Sequence, residues 1–349
     1  VCREAGVEVE DVCEVVAVGN TVMHHILLGL SPKSLGVSPY APTTRDAVTV
    51  RAVELGLKLG PETRVYLPPV VAGFIGSDAV ADVISSGIHR SDEVRLLIDV
   101  GTNTEIILGN RECLTACSCA SGPALEGGQI SCGMRAVEGA IESVWIDPET
   151  LEVAYRVIGD TKPVGVCGSG VVDAVASMFR AGVIDETGRI RRNLETDRVV
   201  VRDGKPGFVL AYPDETADGR PIVFTQRDVE EVILAKAAIR AGVEVLLKVL
   251  GMDIGGVHEV MLAGAFGTYV DPESAMLIGM YPRVPLDRVR FLGNSAGSGA
   301  RAMLKSLEAR EEAERVAREL EYVELAARPE FREEFFNSLY IPYRETTLS

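Results

Sequence analysis

The chain has 349 residues, 47% of them hydrophobic and 5% aromatic, and its 35 basic and 51 acidic side chains give a formal charge of −16. That length suffices for two lobes, and an acidic balance without a basic stripe argues against nucleic acid as a partner. No apolar run reaches the roughly 18 residues of a membrane span and no signal peptide is visible, so a soluble, cytoplasmic chain with reduced thiols is expected.

The first residues, "VCREAGVEVEDV", begin at Val1 without a methionine and read as the inside of a helix, so a processed or truncated product is expected. "EVVAVGNTVMHHILLGL" (14–30) reads as a strand, a Gly-Asn-Thr turn and a helix, the first half of an α/β unit. Adjacent His24 and His25 point about 100° apart on a helix, and without a third ligand they read as structural. A Pro-rich connection fills 31–43, "AVELGLKL" predicts a helix and "RVYLPPV" a strand. "AGFIGSDAVADVISSGI" (72–88) predicts a helix opened by a glycine-rich turn.

"EVRLLIDVGTNTEIILGN" predicts a β-hairpin whose tip carries Asp99, Gly101, Thr102, Asn103 and Thr104. A glycine-rich segment with Glu126 follows, then a second hairpin turned at Asp147-Pro148, where Trp145 reads as packing. "PVGVCGSGVVDAVASMFRAGVI" predicts a strand, a Gly-Ser-Gly turn and a helix, and 189–224 irregular β structure. From Thr225, a good N-cap with Asp228 three residues on, one long helix runs to Gly251. "VHEVMLAGAFGTYV" predicts a strand into a glycine turn, "VRFLGNSAGSGARAMLKSL" repeats that plan, and "EAREEAERVARELEY" predicts a charged helix.

Four of these strand ends, at 99–105, 167–170, 263–267 and 293–300, carry small residues after an apolar strand. Glycine there lets backbone approach a ligand, and N–H groups at strand ends and helix starts suit phosphate. No Walker A loop occurs. Asp99, at the end of a buried strand and followed by small tip residues, is a candidate to orient a magnesium-bound water while the tip wraps phosphates; a tight turn capped by Asp99 is the alternative. Cys113, Cys117, Cys119 and Cys132 match neither zinc nor ferredoxin spacing and read as small buried thiols.

At these residues the chain resembles the superfamily of acetate and sugar kinases, heat-shock cognate chaperones and actin. "LLIDVGTNTEIILG" looks like its second phosphate hairpin and "VMLAGAFG" like its adenosine motif. Across "VGNTVMHHILLGL", "AGFIGSDAVA", "SGPALEGG", "GVCGSGVVDAV", "TQRDVEEVILAKAAI", "GNSAGSGA" and "RPEFREEFF" it is more similar to the ATP-dependent reductive activators of corrinoid proteins.

The resemblance implies an α/β, two-lobed actin-like (ribonuclease H-like) ATPase fold. Residues 1–95 would be a partial first lobe with a connecting helix, 96–300 the second lobe, and 301–349 C-terminal helices, with a return to the first lobe left open. It implies ATP and magnesium as cofactors, a corrinoid protein returned from Co(II) to Co(I) as partner, an electron donor, and a possible homodimer. The first phosphate hairpin and the iron–sulfur domain of that family are expected to lie outside this chain.

Asp99 and Glu126 are then the catalytic candidates, Asp99 also for magnesium through water. Gly101, Thr102, Asn103, Thr104, Gly168, Ser169, Gly170, Gly264, Ala265, Phe266, Gly267, Lys236 and Asn294 are the ATP candidates. For Glu126 a capping role, for the Gly-Ser-Gly turn a packing role, and for Lys236 a solvated role remain open. Asn294 and Ser295 are expected at the nucleotide or at the lobe hinge. A small-molecule kinase, a CoA-dehydratase-type activator and an actin-like assembly protein are the rival readings.

Overall fold

In the computed structural model, residues 2–202 and 204–344 are described, without the side chains of Arg202, Ala265, Phe266 and Thr268. After α1 (Cys2–Ala5), the first part of the chain forms a small sheet of β1 (Glu14–Val16), β2 (Val48–Arg51) and β3 (Arg64–Leu67). Its order is β1-β3-β2, with β1 parallel and β2 antiparallel to β3. α2 (Thr21–Leu27) follows β1 and is capped by Asn20, whose side chain accepts from the Met23 N–H. The stretch expected as a helix at 52–59 is only a 3-10 turn, Ala52–Leu55. Gly56 in the left-handed conformation ends it and returns the Leu57 N–H to the Ala52 carbonyl. α3 (Ser77–Ser86) leads out of this part.

The main sheet begins with the meander β4 (Arg95–Val100), β5 (Thr104–Gly109) and β6 (Leu114–Cys119). A second small sheet holds β7 (Ala140–Ile146), β8 (Val153–Val157) and β9 (Gly165–Val166), followed by α4 (Gly168–Arg180). The stretch expected as irregular β contains a third sheet, β10 (Val199–Arg202), β11 (Lys205–Ala211) and β12 (Ile222–Thr225). The long helix is α5 (Gln226–Val249), then come β13 (Glu259–Ala263), α6 (Gly264–Tyr269), α7 (Pro272–Leu277), β14 (Val289–Gly293), α8 (Ser295–Lys305), α9 (Leu307–Glu319), β15 (Glu321–Tyr322) and α10 (Pro329–Asn337). The glycine turn expected after β13 is itself the start of a helix.

The main sheet has the order β14-β13-β4-β5-β6-β15, with β4, β13 and β14 parallel. It is covered on both faces, which is why its strands read as unbroken apolar runs. Period-2 alternation sends Leu96, Ile98, Ile106, Leu108, Cys117 and Cys119 to the face under α5. Leu97, Ile107, Ala116, Met261 and Ala263 go to the opposite face, packed with residues of α3, α8 and α9. The buried thiols are small enough for α5 to press close, and a Cβ at Gly242 would lie 2.4 Å from the Cys119 sulfur. Cys117 and Cys119 are packing groups, as expected, whereas Cys113 is a correction: it stands exposed on the connection between β5 and β6, and Cys132 is only half-buried. Among the described residues no three His, Cys, Asp or Glu side chains are placed to hold a metal ion. No described helix is long and apolar enough to cross a membrane.

Asp228 does more than the expected cap. Its carboxylate accepts from the Thr225 N–H at 2.7 Å and from the Ser131 N–H and hydroxyl at 2.7 and 2.6 Å, which pins the glycine-rich segment to the start of α5. His25 is structural: Nδ1 donates to the Thr21 carbonyl and Nε2 accepts from the Thr43 N–H. That pair of bonds fixes a neutral tautomer. Trp145 is a correction, for it is 62% exposed, with Arg180 stacked over its ring. Its neighbours Val144 and Ile146 take the inward face of β7, which leaves Trp145 on the outward one.

Candidate nucleotide site

Because β4, β13 and β14 run parallel, their carboxyl ends lie along one edge of the sheet. A single row of partners crosses it there: Gly293, Ala263, Asp99, Glu105 and Ser118. Three of the four small-residue strand ends picked out in the sequence therefore meet. The approach is close, since a Cβ at Gly264 would sit 2.5 Å from Asp99 Oδ1 and 2.8 Å from the Val100 carbonyl oxygen. Gly264 has φ +83, so only glycine holds this backbone without strain. By parity Asp99 and Glu105 project to the α3 side of the sheet.

There they face two acids that the sequence reading passed over, Asp78 and Asp82 of α3. Asp82 is fully buried and accepts from the Ser295 hydroxyl at the start of α8, and it lies within hydrogen-bond reach of Asp99. Burial and then the neighbouring Asp99 charge push Asp82 well above the usual carboxylate range. Burial raises Asp99 as well, while its hydrogen bond with Asp82 pulls it back. Of the pair, Asp82 is the more strongly raised, because burial acts on it with the Asp99 charge beside it. Burial, reinforced by Asp78 and Asp99, lifts Glu105 to about 8, although the Ser118 hydroxyl donates to it at 3.0 Å. Burial lifts Asp78 to about 6.

Asp78 sits where two chain turns interlock. The Ser77 N–H donates to the Gly19 carbonyl at 3.0 Å, and the Thr21 hydroxyl donates to the Ala72 carbonyl at 2.7 Å. The "VGNT" turn ahead of α2 is thereby brought beside the start of α3.

The hairpin tip is held by the glycine-rich segment. The Gly101 N–H donates to the Asn103 carbonyl, the Gly122 N–H donates to the Thr102 carbonyl, and the hydroxyls of Thr104 and Ser121 meet at 2.8 Å. Glu126 is exposed and accepts from the Thr102 hydroxyl at 2.7 Å, so these two candidates belong together. Thr102 and Asn103 are exposed at the tip.

Gly168, Ser169 and Gly170, expected as a turn, form the first turn of α4 directly after β9. The Ser169 hydroxyl donates to the Glu142 carbonyl at 2.8 Å, and a Cβ at Gly170 would lie 2.4 Å from the Ile141 carbonyl. Both residues are used in seating α4 on β7, which leaves Gly168 as the part-exposed member. That helix packs against the Pro123–Glu126 turn, its link to the hairpin tip.

Asn294 caps α8, accepting from the Gly297 N–H at 2.8 Å, and its neighbour Ser295 reaches Asp82. Gly267 is buried within α6, while the side chains of Ala265 and Phe266 lie outside the described residues. Lys236 is a correction to the solvated alternative. It is fully buried, and its ammonium donates to the Tyr340 carbonyl of the C-terminal segment. Its described partners are the Tyr340 carbonyl and the neighbouring Arg240 charge.

The donor set suits a hard cation held through water. Half-buried carboxyls crowd one spot, and no three are placed to ligate directly. Magnesium retains several waters and takes one or two carboxylates besides phosphate oxygens.

Residues 93–349 match the family described as "C-terminal domain of RACo the ASKHA domain", and residues 1–91 match "RACo middle region". The chain belongs to the RACo family. Its fold is the α/β actin-like class expected from the motifs. "Corrinoid activation enzyme RamQ" of Eubacterium limosum is 37% identical over 342 residues, 96% of this chain and 57% of that RACo relative. "[Co(II) methylated amine-specific corrinoid protein] reductase" of Methanosarcina barkeri is 29% identical over 281 residues, 74% of this chain and 48% of its own length. The solved structure titled "Reductive activator for corrinoid,iron-sulfur protein" superposes with a TM-score of 0.91 at 38% identity, over 99% of this chain and 55% of that one. The chain thus spans about half the length of these relatives.

Proposed function

We propose that this chain is the nucleotide-handling part of an ATP-hydrolysing reductive activator that returns a Co(II) corrinoid protein to Co(I). The observation that carries the reading is the row of strand ends that sets Asp99 beside Gly264 and opposite Glu105. In this reading the hairpin tip, Gly101–Thr104, with Gly168 receives phosphate, and the β13–α6 junction receives the adenosine. Asp99 holds magnesium through water, Glu126 steadies Thr102, and Lys236 is left to the fold. Bound magnesium would neutralise phosphate charge and the crowded carboxylates. Residues 1–95 serve as part of one lobe and 96–300 as the other, with α9 packed back on α3 and α10 laid along α5 on the opposite face of the main sheet.

The reduction adds one electron to cobalt, taken from an iron–sulfur domain that lies outside residues 1–349. ATP favours it by binding two lobe arrangements unequally, so that nucleotide state changes how the corrinoid partner is gripped. A cytoplasmic location and a second copy of the chain complete the proposal.

The test mixes the chain with a Co(II) corrinoid protein, a low-potential reductant and Mg·ATP, and follows the Co(I) absorbance. Growth of that band only with ATP supports the proposal, and its loss in Asp99→Ala assigns the carboxylate. ATP-independent growth, or phosphorylation of a small acid or sugar without corrinoid, overturns it.

A further inference from the structure

Asp82 has no part in the motifs that point to nucleotide, yet it is buried directly beside Asp99. It is fully buried on α3, one carboxyl oxygen accepts from the Ser295 hydroxyl, and the group reaches Asp99. Its other oxygen, Oδ2, has no donor among the described residues. One residue before it, the Ala81 carbonyl marks the tightest point of the α3–α8 crossing, where a Cβ at Gly299 would come within 2.0 Å. Gly299 lies one turn along α8 from Ser295. Asp82 therefore sits at the junction of three elements: the end of β4, the start of α8 and the middle of α3. α3 lies in the region matching the middle part of the family, and β4 and α8 lie in the region matching its C-terminal domain.

We infer that Asp82 is a positioning residue: lodged between Asp99 and Ser295, it aims the Asp99 carboxylate at magnesium-bound nucleotide and couples that aim to the α3–α8 crossing. The inference rests on the nucleotide reading above. Groups that hydrogen-bond the carboxylates of a metal site fix their orientation. Their loss costs about 10–100-fold in metal affinity where the carboxylate ligates directly, the lower end being the measure for one that acts through water. A carboxamide at this position accepts from Ser295 and donates to Asp99, so it preserves both contacts.

The test is calorimetric ADP binding to the whole chain with and without Mg2+, in the parent, Asp82→Asn, Asp82→Ala and Ser295→Ala. The quantity read is the gain in affinity that magnesium brings. Asp82→Ala is expected to lose about 10-fold of that gain, with magnesium-free affinity unchanged. Asp82→Asn is expected to keep it. Ser295→Ala, which removes one outer hydrogen bond, is expected to lose about 3-fold, and it carries the test should Asp82→Ala not fold.

A residue that merely supports the fold would weaken both affinities together, and that result overturns the inference. So does an undiminished gain in Asp82→Ala or Ser295→Ala, or an Asp82→Asn as impaired as Asp82→Ala. A parent that binds ADP without any gain from magnesium overturns the role of Asp82 while leaving nucleotide binding standing. A parent that binds no ADP under either condition overturns the nucleotide reading itself, and the inference with it.

Discussion

Gly264→Ala separates the chemistry of the Asp99 contact from ordinary backbone strain, because the chain supplies its own control. Gly264 and Gly293 both hold positive φ, +83 and +65; Gly264 follows β13 and Gly293 closes the adjacent parallel β14. A Cβ at Gly293 meets nothing within 4 Å, whereas at Gly264 it meets Asp99 Oδ1 at 2.5 Å and the Val100 carbonyl at 2.8 Å. Placing alanine in the left-handed region costs about 1–2 kcal/mol at either position. Gly264→Ala adds overpacking of about 1–3 kcal/mol, since the backbone of β4 cannot yield and the carboxylate must swing away. With an unfolding entropy of about 2.1 cal/mol/K per residue, 1 kcal/mol shifts Tm of a chain this long by roughly 1.4 °C. Gly293→Ala should therefore lower Tm by about 1–3 °C and Gly264→Ala by about 3–7 °C. Only the second should reduce the magnesium-dependent part of ADP affinity, because only it displaces Asp99. Scanning calorimetry and ADP titration of both variants read the two effects. Equal losses of Tm, or an Asp99-dependent affinity untouched in Gly264→Ala, would falsify the close packing on which the site is built.

Burial holds the Lys236 ammonium down to about 7, so between about pH 7 and 10 the unfolded chain binds a proton that the folded chain has released, and stability rises with pH across that window. Lys236→Met removes this slope: the Tm of the variant minus that of the parent should be greatest below pH 7 and fall toward pH 10, and a gap independent of pH would contradict the assignment. Gly299→Ala drives a methyl to 2.0 Å from the Ala81 carbonyl oxygen, and thermal melting should register a loss of about 3 kcal/mol; a neutral substitution would mean that α3 and α8 slide apart freely. Alkylation of the native chain followed by peptide mapping should label the exposed Cys13 and Cys113 and spare the buried Cys117 and Cys119. Rapid modification of either buried thiol would mean that α5 lifts off the sheet.

The place of Asp99 was legible in the sequence, because a buried strand that ends on an acid and runs into small polar residues sets that acid at a strand end, where the row with Ala263 and Glu105 puts it. Glu105 was within reach of the same reading. A hairpin centred on Thr102 sets residues 99 and 105 opposite each other, so two acids on one face of a covered sheet follow from register alone. Asp78 and Asp82 are harder. Acids four apart on a helix ordinarily mark a solvated face. The contrary signal was the company of Asp82, since Ala79, Val80, Ala81, Val83 and Ile84 are all buried and leave the helix no wet side.

Lys236 shows where reading along the chain fails for a physical reason. Lys236, Arg240, Glu244 and Lys248 recur every four residues on α5, which is how a solvated stripe looks in sequence. The C-terminal segment, about a hundred residues later, lies over that stripe: Lys236 donates to Tyr340, Arg240 stacks on Tyr343, and Lys248 pairs with the buried Glu334 at 2.6 Å. Periodicity reports which side chains share a face, but only the tertiary partner decides whether water or protein covers it. The same distinction explains why the strand-end glycines could be found singly yet their roles could not. Ser169 and Gly170 are spent on seating α4, while Gly264 is spent on admitting Asp99, and the two kinds of turn differ only in what the fold brings against them.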